Sequence, residues 1–330
     1  MSTDPATVCL VTVTYGSRQK LLEAMLASLR DVPAIRHAVV IGNGTPWLDD
    51  VAVDHLPFTV EKVPLPRNMG TAAAFTAGLR AALATRHTFI WLMDDDLIPS
   101  PGSCEALVDA IAAEEAGGHQ LVGVVAQREG HTLDLSDRHI AKPGSFLAFD
   151  IRRRLPQRKS SPKSGPKSAT ARSLPFAPYG GFMARPQVFE TIGEPRADFV
   201  LYADDTEYSS RILRHGGVIK PVPSARVTDV VPSWNVGDEN EPKSGLDRML
   251  GSGTGFQVYY SLRNRCYFDH TRAARQQGLW YRLNRTLFLG TLFVKALRKQ
   301  RLSQFRLIRR AIRDGEKARL GLNAEFPLPA

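Results

Sequence analysis

Asp94, Asp95 and Asp96 stand side by side at the end of a very apolar run, Phe89-Ile90-Trp91-Leu92-Met93. Three adjacent carboxylates repel one another unless something neutralises them. Alternate side chains of an extended chain point to one side, so Asp94 and Asp96 can converge on one hard cation. Mg2+ or Mn2+, which favour oxygen ligands and bridge diphosphates, suit that pair. The same acids would also serve as an acidic turn or helix cap ahead of Pro99, and the motif alone leaves both readings standing. A second acidic cluster, Asp204-Asp205-Thr206-Glu207, opens a helix-like stretch after Phe199-Val200-Leu201-Tyr202. Acids there cap a helix and complement its dipole; a carboxylate there can equally accept the proton of an attacking hydroxyl as general base. Third, Arg67-Asn68-Met69-Gly70 leads into an alanine-rich helix. Such an entrance can hold an anion, or its small residues simply let the helix pack closely.

The elements that must position these groups alternate between extended and helical. Val8–Thr14 (VCLVTVT) is a β-branched run too short for a helix and reads as a buried strand. Leu21, Leu22, Met25, Leu26 and Leu29 then recur at helical spacing. Residues 38–41, 58–63 and 88–93 are further short strands, with helices over 70–84 and 104–116. Alternating strands and helices imply a layered α/β domain with parallel pairing. In such sheets ligands sit beyond the carboxyl ends of the strands, where Tyr15-Gly16-Ser17, Gly42-Asn43-Gly44 and the Asp94–Asp96 acids all fall. Residues 256–270 and 279–320 are expected to be helical, the latter amphipathic and basic.

The chain has 330 residues, 43% of them hydrophobic and 23% charged, the composition of an ordinary globular protein able to bury a core. Its net charge of +10 is unevenly spread. Residues 152–172 hold Arg152, Arg153, Arg154, Arg158, Lys159, Lys163, Lys167 and Arg172 and no acid, in a Ser/Pro-rich setting expected to be mobile. From Arg272 to Arg319 there are fourteen Lys and Arg against Asp314 and Glu316. The three cysteines, Cys9, Cys104 and Cys266, match no disulfide or metal spacing and suit a reducing compartment. Met1–Thr7 show no leader, and no apolar run reaches the roughly 20 residues of a membrane span. No P-loop or dinucleotide glycine pattern is present.

The motifs VTVTYGSR, VIGNGT, RNMGTAAAFTAGL, FIWLMDDDLIP, PYGGFMARPQVFETIG, YADDTEYSSRILRHGG and YYSLRNR, in this order over roughly residues 8 to 270, carry a resemblance. The chain resembles family-2 inverting glycosyltransferases of GT-A fold, closest to their galactofuranosyl- and rhamnosyltransferase-like branch. The resemblance implies a Rossmann-like mixed α/β sheet flanked by helices over 1–270, with 152–173 as a mobile basic insertion and 271–330 as a basic amphipathic helical tail. It places Thr14, Tyr15, Gly16 and Arg18 at the nucleotide, Asn43 in the second base-binding loop, and Arg67, Asn68 and Gly70 at the donor. Asp95 lies with the diphosphate, Asp94 and Asp96 are the metal motif, and Asp205 is the catalytic base. Gly42 stands where the family usually has an Asp, and Asp229 where it often has a metal-binding His.

The implied reaction moves a sugar from a UDP- or dTDP-sugar, with Mg2+ or Mn2+, to a hydroxyl of a lipid-linked saccharide or cell-surface polysaccharide. The implied place is cytoplasmic, peripheral on the inner face of the cytoplasmic membrane, where Trp280, Tyr281, Leu283 and Phe293 among the tail's cations suit an anionic surface; the same apolar face would equally serve to pack on the catalytic domain with the basic face solvated. Two other classes compete. A sugar nucleotidyltransferase also pairs an α/β sheet with metal-binding carboxylates but would open with a Gly-rich phosphate loop, and TYGSRQK is poor in Gly. A nucleic-acid-binding protein would suit the net charge, but the acids gather in the folded part, which phosphate backbones avoid; no nucleic acid is expected as partner.

Overall fold

The computed structural model describes residues 6–129, 144–154, 173–231, 245–251, 253–271 and 278–329. The basic stretch expected to be mobile falls largely outside these. The chain divides into two compact units, one of residues 1–133, 172–233 and 328–330, the other of 134–171 and 234–327. The helix over 255–269 falls in the second of these units, with the C-terminal helices.

In the first unit, β1 (Val8–Thr14) is buried along its whole length, the mark of a strand covered on both faces. It pairs in parallel with β2 (Ile35–Asn43) and with β4 (Phe89–Asp94), and β2 pairs in parallel with β3 (Thr59–Leu65). Beyond β4 the sheet changes direction. The short β7 (Phe182–Ala184) runs antiparallel between β4 and β6 (Val122–Arg128), followed by β8 (Val218–Asp229) and the three-residue β5 (Leu97–Pro99). The order is β3-β2-β1-β4-β7-β6-β8-β5.

Alternation along the strands builds two cores, one on each face. Val8, Leu10, Phe89, Trp91 and Met93 meet α1 (Gln19–Ser28) and α3 (Ser103–Ala116) through Leu22, Met25, Leu107 and Ile111. Cys9, Val11, Ile90 and Leu92 face the other way. They meet α2 (Thr71–Ala84), α4 (Pro186–Ile192) and α5 (Asp204–Arg214) through Phe75, Leu79, Val188 and Ile212. The alanines and Gly78 of α2 bring it close to the sheet: a Cβ on Gly78 would lie 2.5 Å from Val11 Cγ1. Cys9 and Cys104 are buried core residues, and burial pushes both thiols up to about 12.

The second unit is helical: α6 (Gly245–Gly251), α7 (Gly255–Asp269), α8 (Gly278–Arg298) and α9 (Leu302–Glu316). A capping box of Thr254 and Gln257 starts α7. The approach of α7 to α9 is tight enough that a Cβ on Gly315 would lie 2.3 Å from the Arg263 carbonyl oxygen. α8 buries Tyr281, Asn284, Phe288, Leu292 and Ala296, spaced three or four apart along one face. Asn284 fixes the 144–154 segment by donating to the Gly144 carbonyl at 2.8 Å and accepting from the Ile151 N–H at 2.9 Å. No helix among the described residues is long and apolar enough to cross a membrane.

Candidate active site

The acid trio closes β4 and turns directly into β5, so it starts no helix to cap. Asp95 is buried, and Arg18 reaches it from the loop after β1 with Nε 2.9 Å from both carboxylate oxygens and Nη2 2.7 Å from Oδ1. The same Nη2 lies 2.7 Å from Asp96 Oδ2. Tyr15 lies under the guanidinium, 5.2 Å from ring centre to Cζ. Burial opposes the charge on Arg18, but its bonds to Asp95 and Asp96 outweigh that and raise its pKa. Arg18, expected at the nucleotide, is thus locked to the acids.

Arg128, at the end of β6, forms a forked pair with Asp229 and brings Nη1 to 3.8 Å from Asp94 Oδ2. The antiparallel pairing of β5 with β8 sets Leu97 opposite Asp229, and the Val230 N–H donates to the Asp96 carbonyl at 2.9 Å. That is how Asp229 comes beside the acidic turn. Asp94 is half-buried, and its carboxyl is pushed up to about 7. Desolvation leads, Arg128 opposes it, and Asp96, Asp95 and Asp205 add to it. Gly180 lies beneath: a Cβ there would sit 2.5 Å from Asp94 Oδ2. Among the described residues no three His, Cys, Asp or Glu side chains converge into a metal cage. The hard oxygens of Asp94 and Asp96 still suit Mg2+ or Mn2+, which such sites hold by one or two carboxylates plus substrate phosphates.

Asp204 and Asp205 occupy the first turn of α5, after Ala203. The N-cap position itself is Ala203, which offers no side-chain cap. Val200, Tyr202 and Ala203 all have positive φ, 66°, 67° and 58°, a costly conformation, most of all for β-branched valine. Asp204 is buried, accepts from Thr71 Oγ1 at 2.9 Å, and is pushed up to about 7 by desolvation and then by Asp205. Asp205 is half-buried and accepts from the Thr206 N–H at 2.6 Å. Glu207 is buried in ion pairs with Arg211 at 2.5 Å and Arg214 at 2.9 Å, a structural role. Tyr179 is buried against Phe75, and the charges of Asp204 and Asp205 reach its hydroxyl.

Asn43 and Asn68 form the third wall. Asn43 Nδ2 donates to Asn68 Oδ1 at 3.0 Å while Asn43 Oδ1 accepts from the Met69 N–H at 2.8 Å. Asn68 Oδ1 also accepts from the Gly70 N–H at 3.0 Å. Asn43 therefore shapes the 67–70 loop. A Cβ on Gly42 would lie 2.4 Å from Thr45 Oγ1 and 2.6 Å from Leu48 Cδ2, so the space an acid would need there is filled. Gly70 has φ 86°, and a Cβ on it would lie 2.1 Å from the Val200 carbonyl oxygen. Arg67 is exposed, Thr14 is buried, and Gly16 accepts from Trp47 Nε1 at 2.6 Å. Arg128, Trp47, Tyr179 and Gly180 were not foreseen; for Arg128 the available signal was a cation ending an apolar strand.

The family model described as Glycosyl transferase family 2 matches residues 9–193. The galactofuranosyltransferase GlfT1 of Mycolicibacterium smegmatis is 26% identical over 213 residues, covering 63% of this chain and 66% of that protein's length. A crystal structure of GalNAc-T7 with UDP, GalNAc and Mn2+ superposes with a TM-score of 0.52 at 14% identity, over 83% of this chain and 48% of that one. At that identity the likeness concerns the fold, which is GT-A-like as expected.

The buried Asp204 carboxyl generates a pH prediction. Because its folded value is raised from 3.8 to about 7, the folded chain keeps a proton that the unfolded chain has lost. Stability from this group is therefore full at low pH and drains as pH rises between those values. Asp204→Asn is expected to match wild type near pH ~4 and to exceed its Tm by several degrees near pH ~8. Parallel Tm-against-pH curves for the two proteins would remove this assignment.

Proposed function

The chain belongs to glycosyl transferase family 2; on that premise we propose that it moves a sugar from a nucleotide-sugar donor, with Asp205 as the base of an inverting transfer to an acceptor hydroxyl. What supports this most is that Asp205, opening α5, lies near enough to the acids ending β4 for its charge to act on Asp94. Asp205 accepts the hydroxyl proton as the acceptor oxygen bonds to the anomeric carbon. The bond from that carbon to the diphosphate breaks, the nucleoside diphosphate leaves with the electron pair, and the configuration inverts. A bound Mg2+ or Mn2+ supplies Lewis-acid stabilisation of charge on the departing diphosphate. Asp94 and Asp96 would hold it, with Asp229 at the same edge and Asp95 keeping Arg18 in place. Thr14, Tyr15, Gly16, Asn43, Arg67, Asn68 and Gly70 form the donor's walls. The donor is a UDP- or dTDP-sugar and the acceptor a lipid-linked saccharide or cell-surface polysaccharide.

The protein is further proposed to work at the inner face of the cytoplasmic membrane. α8 buries one face, yet Leu279, Leu283, Phe293, Val294 and Leu297 remain 82%, 43%, 42%, 45% and 48% exposed. Trp280 accompanies them, and Arg282, Arg298, Lys299 and Arg301 lie exposed alongside. Apolar residues flanked by cations fit an anionic leaflet, each nearby cation adding ~1 kcal/mol.

Three outcomes follow from these assignments. Asp205→Asn should bind donor with unchanged affinity by calorimetry while transfer falls by roughly 10²–10⁴-fold; near wild-type transfer would leave Asp205 a helix-end acid. Asp94→Ala and Asp96→Ala should keep the fold by circular dichroism and lose activity, and full turnover in excess chelator would overturn the metal assignment. Leu283→Glu/Phe293→Glu should release the intact chain from anionic liposomes, whereas equal, salt-insensitive partitioning of variant and wild type would leave α8 without a membrane role.

A further inference from the structure

The YYSLRNR motif lies on α7, in the helical unit, and no residue of it enters the transfer chemistry proposed above. Its Tyr259 and Arg263 line a cavity of about 230 Å³, closed by Arg310 and Arg313 of α9 and by the following segment with Arg319 and Asn323. Arg263 is fully buried, its Nε donating to Asn264 Oδ1 at 2.8 Å, and the Tyr259 and Tyr260 rings lie 5.6 Å and 4.8 Å from its Cζ. The wall opposite is tied down. The Asn323 N–H donates to Tyr260 Oη at 3.0 Å, Asn323 Nδ2 donates to Tyr259 Oη at 2.8 Å, and Phe326 stacks on Tyr259 with ring centres 4.3 Å apart.

Charge decides what such a cavity can take. Asp314 accepts from Tyr259 Oη at 3.0 Å and has Arg310 and Arg319 nitrogens each 3.7 Å away. Glu325 pairs with Arg310. Among the described residues the three arginines at the opening, Arg310, Arg313 and Arg319, outnumber these two carboxylates. Guanidinia offer planar, forked donors matched to phosphate oxygens, and a phosphate monoester carries about −1.5 to −2 at neutral pH. We infer that this cavity is a binding site for a terminal phosphate or diphosphate group, separate from the residues assigned to the donor. The exposed Arg313 and Arg319 supply the adjustable mouth, while buried Arg263, its Nε donating to Asn264 and its Nη1 to the Gly321 carbonyl, holds the floor in fixed geometry.

The test is calorimetry on the full chain in chelator, so that metal-assisted diphosphate binding at the acid cluster does not contribute. The probes are inorganic phosphate, inorganic diphosphate and monomeric short-chain phosphatidic acid. Binding of the inorganic ions assigns a soluble source, and binding of phosphatidic acid alone assigns a lipid headgroup; both support the site if the variants respond. Arg313→Gln/Arg319→Gln changes exposed side chains and should weaken binding at least tenfold, while Glu325→Gln, which removes an opposing charge, should tighten it several-fold. The Glu325 response separates ligand binding from a structural effect, since losing its pair with Arg310 gives no structural reason for tighter binding. Absence of binding by all three probes, or identical affinity in wild type and Arg313→Gln/Arg319→Gln, overturns the proposal.

Discussion

Carboxylates gathered at one end of a sheet push one another apart unless cations stand between them. Here Asp94, Asp95, Asp96 and Asp229 share that edge, and Asp205 adds its charge to Asp94. Two guanidinia from separate strands answer them: Arg18 follows β1 and grips Asp95 and Asp96, while Arg128 ends β6 and grips Asp229 and Asp94. The sheet order meets this need. β4 lies beside β1, and β8 lies beside β6, so each acid-bearing strand has a cation-bearing neighbour. The short antiparallel β7 between β4 and β6 follows Gly180, whose missing Cβ leaves room for the Asp94 carboxylate.

The helical unit poses the opposite problem. α8 and α9 carry many more cations than acids, and the few acids present are used several times over. Glu316 takes both forks of Arg285, and Asp247 receives Lys295 and Lys299. Asp314 receives a tyrosine and two arginines. Such sharing leaves a surplus of positive charge on the unit's surface. The first unit instead concentrates negative charge at its sheet edge, so the two units carry opposite excesses of charge at these places.

What could be read from sequence was whatever depends on near neighbours. β1 announces itself by seven apolar or β-branched residues, and the two faces of the sheet follow from simple alternation of Val8, Leu10 against Cys9, Val11. The placing of Asp94–Asp96 at a strand end was equally local. The partners of those acids were not, because Arg18 lies 77 residues from Asp95 and Arg128 lies 101 from Asp229. β5 and β7, three residues each, are too short to show a period. Asn43 also binds the neighbouring loop through its amide, a contact fixed by a fold in which residues 43 and 68 meet and invisible to local reading. Nothing in the letters Phe199-Val200-Leu201-Tyr202-Ala203 announces three left-handed residues ahead of α5.

That strained passage has a mechanical meaning. The Val200 carbonyl accepts from the Ala72 N–H at 3.3 Å and presses on Gly70, whose own N–H is held by Asn68, which in turn is held by Asn43. Each joint in this series is stiff: a glycine with no clearance, an amide with both ends engaged, a backbone held against its torsional preference. The start of α2 and the start of α5 are thereby clasped to each other twice, by the Val200 carbonyl on the Ala72 N–H and by the Thr71 hydroxyl on Asp204, so neither helix entrance can shift alone.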